Sequence, residues 1–177
     1  SKNRTAAMRA AILGLSLVAK KVSPKLYKDA VKVVISALEE YPEAVLRTLE
    51  SFAAHEENVD MILDSDALQK MFSLLETRGD EKGIAEGVFK TISQLAKYNR
   101  GRQQIAALDG IEQVMSWLKE NADDADPLAM SNCLQFLSNM SLDPKFAKTI
   151  AESGAVDLVL DILSGENQSS ATMASGI

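Results

Sequence analysis

The chain has 177 residues, 46% hydrophobic and 25% charged, with a formal net charge of −6. That is enough apolar material for a substantial core, and the acidic balance argues against nucleic acid as a partner, because neutralising phosphates takes a surplus of Lys and Arg. The single cysteine, Cys133, excludes an internal disulfide framework and indicates a reducing compartment, the cytoplasm first and the nucleus second.

In chain order, the spacing predicts a helix from about Thr5 to Lys21, with Ile12, Leu15 and Val18 on one stripe, closed by Ser23-Pro24. Its apolar core, Ala10 to Ala19, is interrupted by Gly14 and Ser16. It is too short to span a bilayer and lacks the features of a cleaved signal, so no membrane insertion is expected. A helix from about Asp29 to Glu40 follows, then Tyr41-Pro42, then a helix from about Glu43 to His55. Short helices are predicted over Asn58 to Asp64, Arg102 to Leu108 and Phe146 to Glu152. Each is followed by a tight junction: Ser65-Asp66-Ala67, Asp109-Gly110 and Ser153-Gly154. Glycine allows the sharp turn there, and Asp or Ser can cap the next helix. The connections Thr77 to Lys82, Asn121 to Asp126 and Gly165 to Ser170 read as polar loops.

Two apolar patterns repeat along these elements. Val31, Val34, Ile35 and Leu38 return as Leu68, Met71, Phe72 and Leu75, then as Ile111, Val114, Met115 and Leu118, then as Val156, Val159, Leu160 and Leu163, at offsets of 37, 43 and 45 residues. Independently, Leu46, Leu49 and Phe52 return as Phe89, Ile92 and Leu95, and then as Leu134, Leu137 and Met140, at offsets of 43 and 45. A helical period near 40 residues means a stacked array, in which each unit buries its apolar face on its neighbours. Such an array offers a long surface and no central pocket.

The residues for chemistry are absent from the sequence pattern. His55 is the only histidine, no Cys/His set has metal spacing, and no Gly-rich phosphate loop occurs. The acidic run Asp123, Asp124, Asp126 lacks the ligand spacing and closing Glu of a calcium loop. No enzyme activity, cofactor or metal is expected. Cys133 and Trp117 both fall on apolar ladders and read as core.

A unit of short helix, turn, longer helix, loop, longer helix, with Gly before the apolar second helix, resembles the armadillo repeat. The residues that carry the likeness are Asp109-Gly110-Ile111 leading to Trp117-Leu118, Ser153-Gly154-Ala155-Val156 leading to Ile162-Leu163, and the ending Phe136-Leu137-Ser138-Asn139-Met140-Ser141, with Gln94-Leu95-Ala96 a weaker copy. The first unit, with Ala30 in place of the turn glycine, looks more like a HEAT unit. The resemblance implies an all-α, right-handed α-solenoid of about four repeats, the last incomplete. Its units are 1–22 (partial), 23–57, 58–100, 101–145 and 146–177 (partial), in one domain over 1–177 that belongs to a longer chain.

The resemblance further implies that third helices line a concave groove that holds a partner segment. Helical geometry sets Glu43, Arg47 and Ser51 opposite the apolar stripe of one third helix, Glu86, Lys90 and Gln94 opposite the next, and Ser131, Gln135 and Asn139 opposite the last. Arg47 and Lys90 suit carboxylates or phosphates, and Gln94, Gln135 and Asn139 suit an extended backbone. Glu43 with Arg47 and Glu86 with Lys90 also have the spacing that stabilises any exposed helix. The family's readers of basic nuclear signals carry Trp at the positions of Arg47, Lys90 and Gln135, so that function is not expected. The expected function is a protein-interaction scaffold that binds an extended or acidic peptide segment. The alternatives are a regulatory or targeting region of a larger multidomain enzyme or motor-associated protein, and self-association through the terminal repeats. The basic segment Lys97 to Arg102 reads first as a helix C-terminus favoured by its cations and second as a grip for an acidic partner.

Overall fold

The computed structural model describes residues 2–19, 31–81, 83–122, 124 and 126–161. Its elements are α1 (Lys2–Ala19), a helical stretch at 31–36, α2 (Pro42–Ala53), α3 (Glu56–Leu63), α4 (Ala67–Arg78), α5 (Ile84–Ala96), α6 (Asn99–Ala107), α7 (Gly110–Asn121), α8 (Pro127–Met140), α9 (Pro144–Glu152) and a helical stretch at 155–161. The fold is all-α, with no strand among the described residues. The expectations for Ser23-Pro24, for Asp123, for the side chains of Leu15 and Val18, and for everything from Ile162 onward lie outside them.

Helices of the same rank pack on one another. The row α1, α2, α5, α8 is the best packed, each helix lying against the next. In the same way α4 lies on α7, and α3 on α6. Within each three-helix unit, neighbours in sequence also touch. Most of both apolar ladders therefore lies inside the protein. Val31, Val34, Ile35 and Leu38 are buried, as are Leu68, Met71, Phe72 and Leu75, and Ile111, Val114, Met115 and Leu118. Leu46, Leu49, Phe52, Phe89, Ile92 and Leu95 are buried in the third-helix row.

Polar bonds register that row. Thr48 Oγ1 donates to the Ile12 carbonyl of α1 at 3.1 Å, and Thr91 Oγ1 to the Leu46 carbonyl of α2 at 3.2 Å. Asn139 Nδ2 donates to the Ser93 carbonyl of α5 at 2.9 Å. Each buried polar group thus finds a partner on the preceding helix of the row, which removes its desolvation cost. The Thr48 bond to α1 has the same form as the Thr91 bond to α2.

The fourth copy of the first ladder departs from expectation. Val156 and Leu160 are 56% and 55% exposed. Leu134 is only half-buried, whereas its equivalents Leu46 and Phe89 are buried. Leu46 is covered because it faces the next helix of the row: a Cβ added at Gly87 of α5 would stand 3.0 Å from the Leu46 Cβ. Among the described residues α8 is the last of that row, so Leu134 has no such cover.

Two junctions are built differently from the sequence reading. Before α7 the left-handed residue is Asp109 (φ 52, ψ 33), not Gly110. Gly110 is instead required by close packing, since a Cβ there would lie 2.6 Å from Phe72 Cζ and 2.8 Å from the Ile105 carbonyl oxygen. At Gly154 (φ 83) glycine does supply the left-handed turn. Boundaries also move. The helix predicted to reach Glu40 stops at residue 36, and 37–40 is turn. α2 ends at Ala53 rather than His55, because His55 is extended (φ −115, ψ 120) and opens α3. α6 starts at Asn99, three residues before Arg102.

Candidate partner-binding face

The nine residues read from the sequence lie on α2, α5 and α8, the last three helices of the best-packed row. Burial of Leu46, Leu49 and Phe52 turns Glu43 and Arg47 of α2 outward, with Ser51 half-buried. In α5 the equivalents Glu86, Lys90 and Gln94 are half-buried, and in α8 Ser131 and Gln135 are exposed.

Asn139 is the correction. It is only 8% exposed, and its amide nitrogen is committed to the Ser93 carbonyl and, at 3.0 Å, to Ser93 Oγ. Its side-chain oxygen accepts from Gln135 Nε2 at 3.3 Å. The cause is α8 packing flush on α5, which puts the end of the rung into the seam. Asn139 holds the two helices together, and Gln135 is left as the polar group on that rung.

The rungs adjoin across helices. Lys90 Nζ pairs with Glu86 Oε1 at 2.7 Å, and this hydrogen bond raises the ammonium pKa above its ordinary value. Glu50 of α2 adds to that rise, while the Arg47 charge opposes it. Arg47 and Lys90 therefore act on one another electrostatically, as neighbours on one surface. Among the described residues Arg47 has no ion-pair partner. At the α1 end of the row Arg47 borders a cavity of about 290 Å³ with Arg9, Tyr41, Glu43 and Arg78. Arg78 is already engaged, with Nε and Nη2 donating to Glu81 at 2.6 and 2.7 Å. That bond is the main cause of its raised pKa, which Glu43 assists.

The sequence reading missed Arg9, Glu50 and Arg78. Arg9 carries a usable signal, because α1 shows the same stripe as a third helix. Arg78 carries none: it arrives from the C-terminal end of α4, and only the fold sets it beside α2.

The basic segment Lys97 to Arg102 is divided between two helices. Lys97 is the C-cap of α5 and Tyr98 the N-cap of α6. Arg102 Nη1 donates to the carbonyls of Ala96 and Lys97 at 2.8 and 3.0 Å, so it caps α5 as a helix C-terminal cation does. Arg100 pairs with Asp60 of α3 and with Asp64, its C-cap. Both cations thus have partners within the chain, Arg102 at the end of α5 and Arg100 on exposed carboxylates.

The remaining residues that drew attention are structural. Cys133 is buried, and burial pushes its thiol pKa up to about 12. Trp117 is 7% exposed, meets the Phe89 ring edge-on at 4.7 Å, and donates from Nε1 to the Gly79 carbonyl at 3.4 Å. His55 holds the N-cap position of α3 without a side-chain capping bond. Asp126 caps α8, its carboxylate accepting the Leu128 N–H at 2.8 Å. No group of three or more His, Cys, Asp or Glu among the described residues is placed to hold a metal ion, and no described helix is long and apolar enough to cross a membrane. Comparisons with protein-family models, with curated proteins and with solved structures found no match to this chain.

Proposed function

We propose that the chain is a protein-interaction scaffold, a right-handed solenoid of armadillo type with about four repeats, whose third-helix row binds a partner segment. The observation that carries this reading is the shared surface of α2 and α5. Arg47 has no ion-pair partner among the described residues, stands close enough to influence Lys90, and shares its helix with the half-buried Ser51 one turn on. An unneutralised guanidinium on a face that also carries hydrogen-bonding side chains suits a segment with carboxylates or phosphates on an extended backbone. Asn139 leaves the set of ligands, and Arg9 joins it.

The test is charge reversal. A partner captured on the wild-type chain and then measured in isolation is expected to bind the Arg47→Glu/Lys90→Glu variant about tenfold or more weakly, the equivalent of about 1.4 kcal/mol. Circular dichroism has to show the variant folded. Equal affinity for both proteins removes the third-helix face from the interaction.

Self-association is a second reading, favoured by the exposed Leu142, Val156 and Leu160 at the C-terminal end of the described residues. It predicts a mass that rises with concentration and falls back in Val156→Glu.

A further inference from the structure

The cavity at the α1 end of the third-helix row gathers arginines from three elements. Its walls include Arg9 of α1, Arg47 of α2 and Arg78 at the end of α4, around about 290 Å³. Like charges on one cavity repel, so the arrangement is costly unless opposite charge offsets it. For Arg78 that charge comes from the chain itself. Its Nε and Nη2 donate to Glu81, and Nη1 donates to the Glu39 carbonyl at 3.4 Å. Arg9 and Arg47 are exposed, and among the described residues neither has an ion-pair partner.

The acids nearby do not supply one. Glu40 and Glu43 also line the cavity. Glu40 accepts from the Tyr41 hydroxyl at 2.7 Å, and Glu43 adds to the charge that raises the Arg78 pKa. Glu43 stands four residues before Arg47, the spacing at which an acid ordinarily neutralises a helix cation. On α5 the equivalent pair forms, with Lys90 Nζ and Glu86 Oε1 at 2.7 Å. On α2 it does not, and Arg47 lines the cavity instead. The unneutralised pair of guanidiniums is therefore local to this end of the row and not a property of every third helix.

Charge and donor geometry select the ligand. Arg9 and Arg47 together offer two positive charges and two planar forks of donors. A carboxylate has one charge and two oxygens, which satisfies one fork. A phosphate monoester carries about −1.5 to −2 and three acceptor oxygens, which suits both forks at once. We infer that this cavity holds a phosphorylated Ser or Thr of the partner segment, gripped between Arg9 and Arg47 with Arg78 as a fixed cationic wall. The site rests on the third-helix face as the binding surface, and it sets where on that face the segment is anchored.

The experiment follows the Nε–H signals of the arginines by heteronuclear NMR while the full chain is titrated with blocked Ala-Ala-X-Ala-Ala peptides, X being phosphoserine, Asp or Ser. The phosphoserine peptide is expected to move the Arg9 and Arg47 signals saturably. It is expected to bind about tenfold or more tightly than the Asp peptide and to weaken with added salt. Arg9→Gln/Arg47→Gln is expected to weaken it about tenfold or more. Lys145→Gln/Lys148→Gln, which removes the same charge from α9, is expected to have no effect. All four side chains are exposed, and circular dichroism verifies folding. The wild-type signals locate the peptide independently of any variant. Unmoved Arg9 and Arg47 signals, equal binding of the Asp peptide, or equal losses in the two double variants overturns the proposal. Inorganic phosphate that binds as tightly as the peptide assigns the cavity to the free ion and overturns it. So does sedimentation with phosphatidic acid vesicles that excess peptide fails to prevent, which assigns it to a membrane headgroup. A captured partner weakened by Arg47→Glu/Lys90→Glu but unaffected by phosphatase keeps the third-helix face and overturns the phosphate site. Phosphopeptide binding at Arg9 and Arg47 with no effect of that charge reversal on the partner keeps the site and overturns the face.

Discussion

Asn139 and Gln135 sit four residues apart on one helix and have opposite fates. Asn139 is spent on Ser93 across the α5–α8 seam, while Gln135 is exposed. Removing the Asn139 amide leaves the Ser93 carbonyl without that partner in a buried place. Asn139→Ala is therefore expected to cost about 1–3 kcal/mol in a urea titration, against about 0.5 kcal/mol or less for Gln135→Ala. Equal effects would place Asn139 back on the open face. Cys133 gives a second residue-level test. Its thiol stays neutral in the folded chain up to about pH 12, because burial disfavours the thiolate. An unfolded thiol ionises near its ordinary value of 9.0, so the contribution to stability is complete below that pH and declines as pH rises toward 12. Alkylation by iodoacetamide at neutral pH is expected to require the opening of α8 and to be negligible in the native protein. Rapid native labelling contradicts the burial. The apolar setting of Cys133 was readable from its place on the stripe. The fate of Asn139 was not, since it depends on how closely two helices approach.

At the scale of elements, Gly110 carries the clearest prediction. An alanine inside a helix ordinarily improves on glycine by about 1 kcal/mol. Here the added methyl would meet the Phe72 ring, Ile105 Cγ2 and the Ile105 backbone oxygen, all closer than 3 Å. The backbone oxygen cannot turn away as a flexible side chain could. Gly110→Ala is expected to destabilise by about 1–3 kcal/mol, the range of an overpacked core, and a denaturation midpoint above wild type would refute it. This glycine was legible as a marker of the junction, but the reason for it was not. The sequence suggests a turn, whereas the fold uses Asp109 for the left-handed residue and Gly110 for contact with α4 and α6. The helices themselves were legible because their apolar stripes are unambiguous. Their starts were less so. α6 opens with Asn99, Arg100 and Gly101, which carry no apolar period, and its first turn is set by Tyr98 in extended backbone and by Arg100 reaching Asp60 and Asp64.

At the scale of the molecule, the question is whether stability is shared by one core or passed between neighbours. Helices touch their equivalents in adjacent units, and α5 is the most connected of them, packed on α2, α4, α6 and α8. By contrast α9 has its main contact with α8 alone, and α1 with α2 alone. In a chain of nearest-neighbour interfaces, an end unit can open while the middle stays closed, so local opening free energies fall toward the ends. Amide hydrogen exchange is expected to be slowest in α5, intermediate in α2 and α8, and fastest in α1 and α9. Phe89→Ala sharpens the test. It removes a fully buried ring from the centre of α5 and the edge contact to Trp117, a change that costs about 3–5 kcal/mol in well-packed interiors. That is a large share of the roughly 5–15 kcal/mol that holds an ordinary domain together. In a stack, protection should collapse first in α2, α5, α7 and α8, the helices around the vacated site, while α1 and α9 change least because they were already the least protected. A single cooperative core would behave differently: wild-type amides in all helices would share one ceiling, and Phe89→Ala would lower that ceiling everywhere by the same amount. That uniform pattern would reject the stacked array, and with it the long third-helix face on which partner binding is proposed.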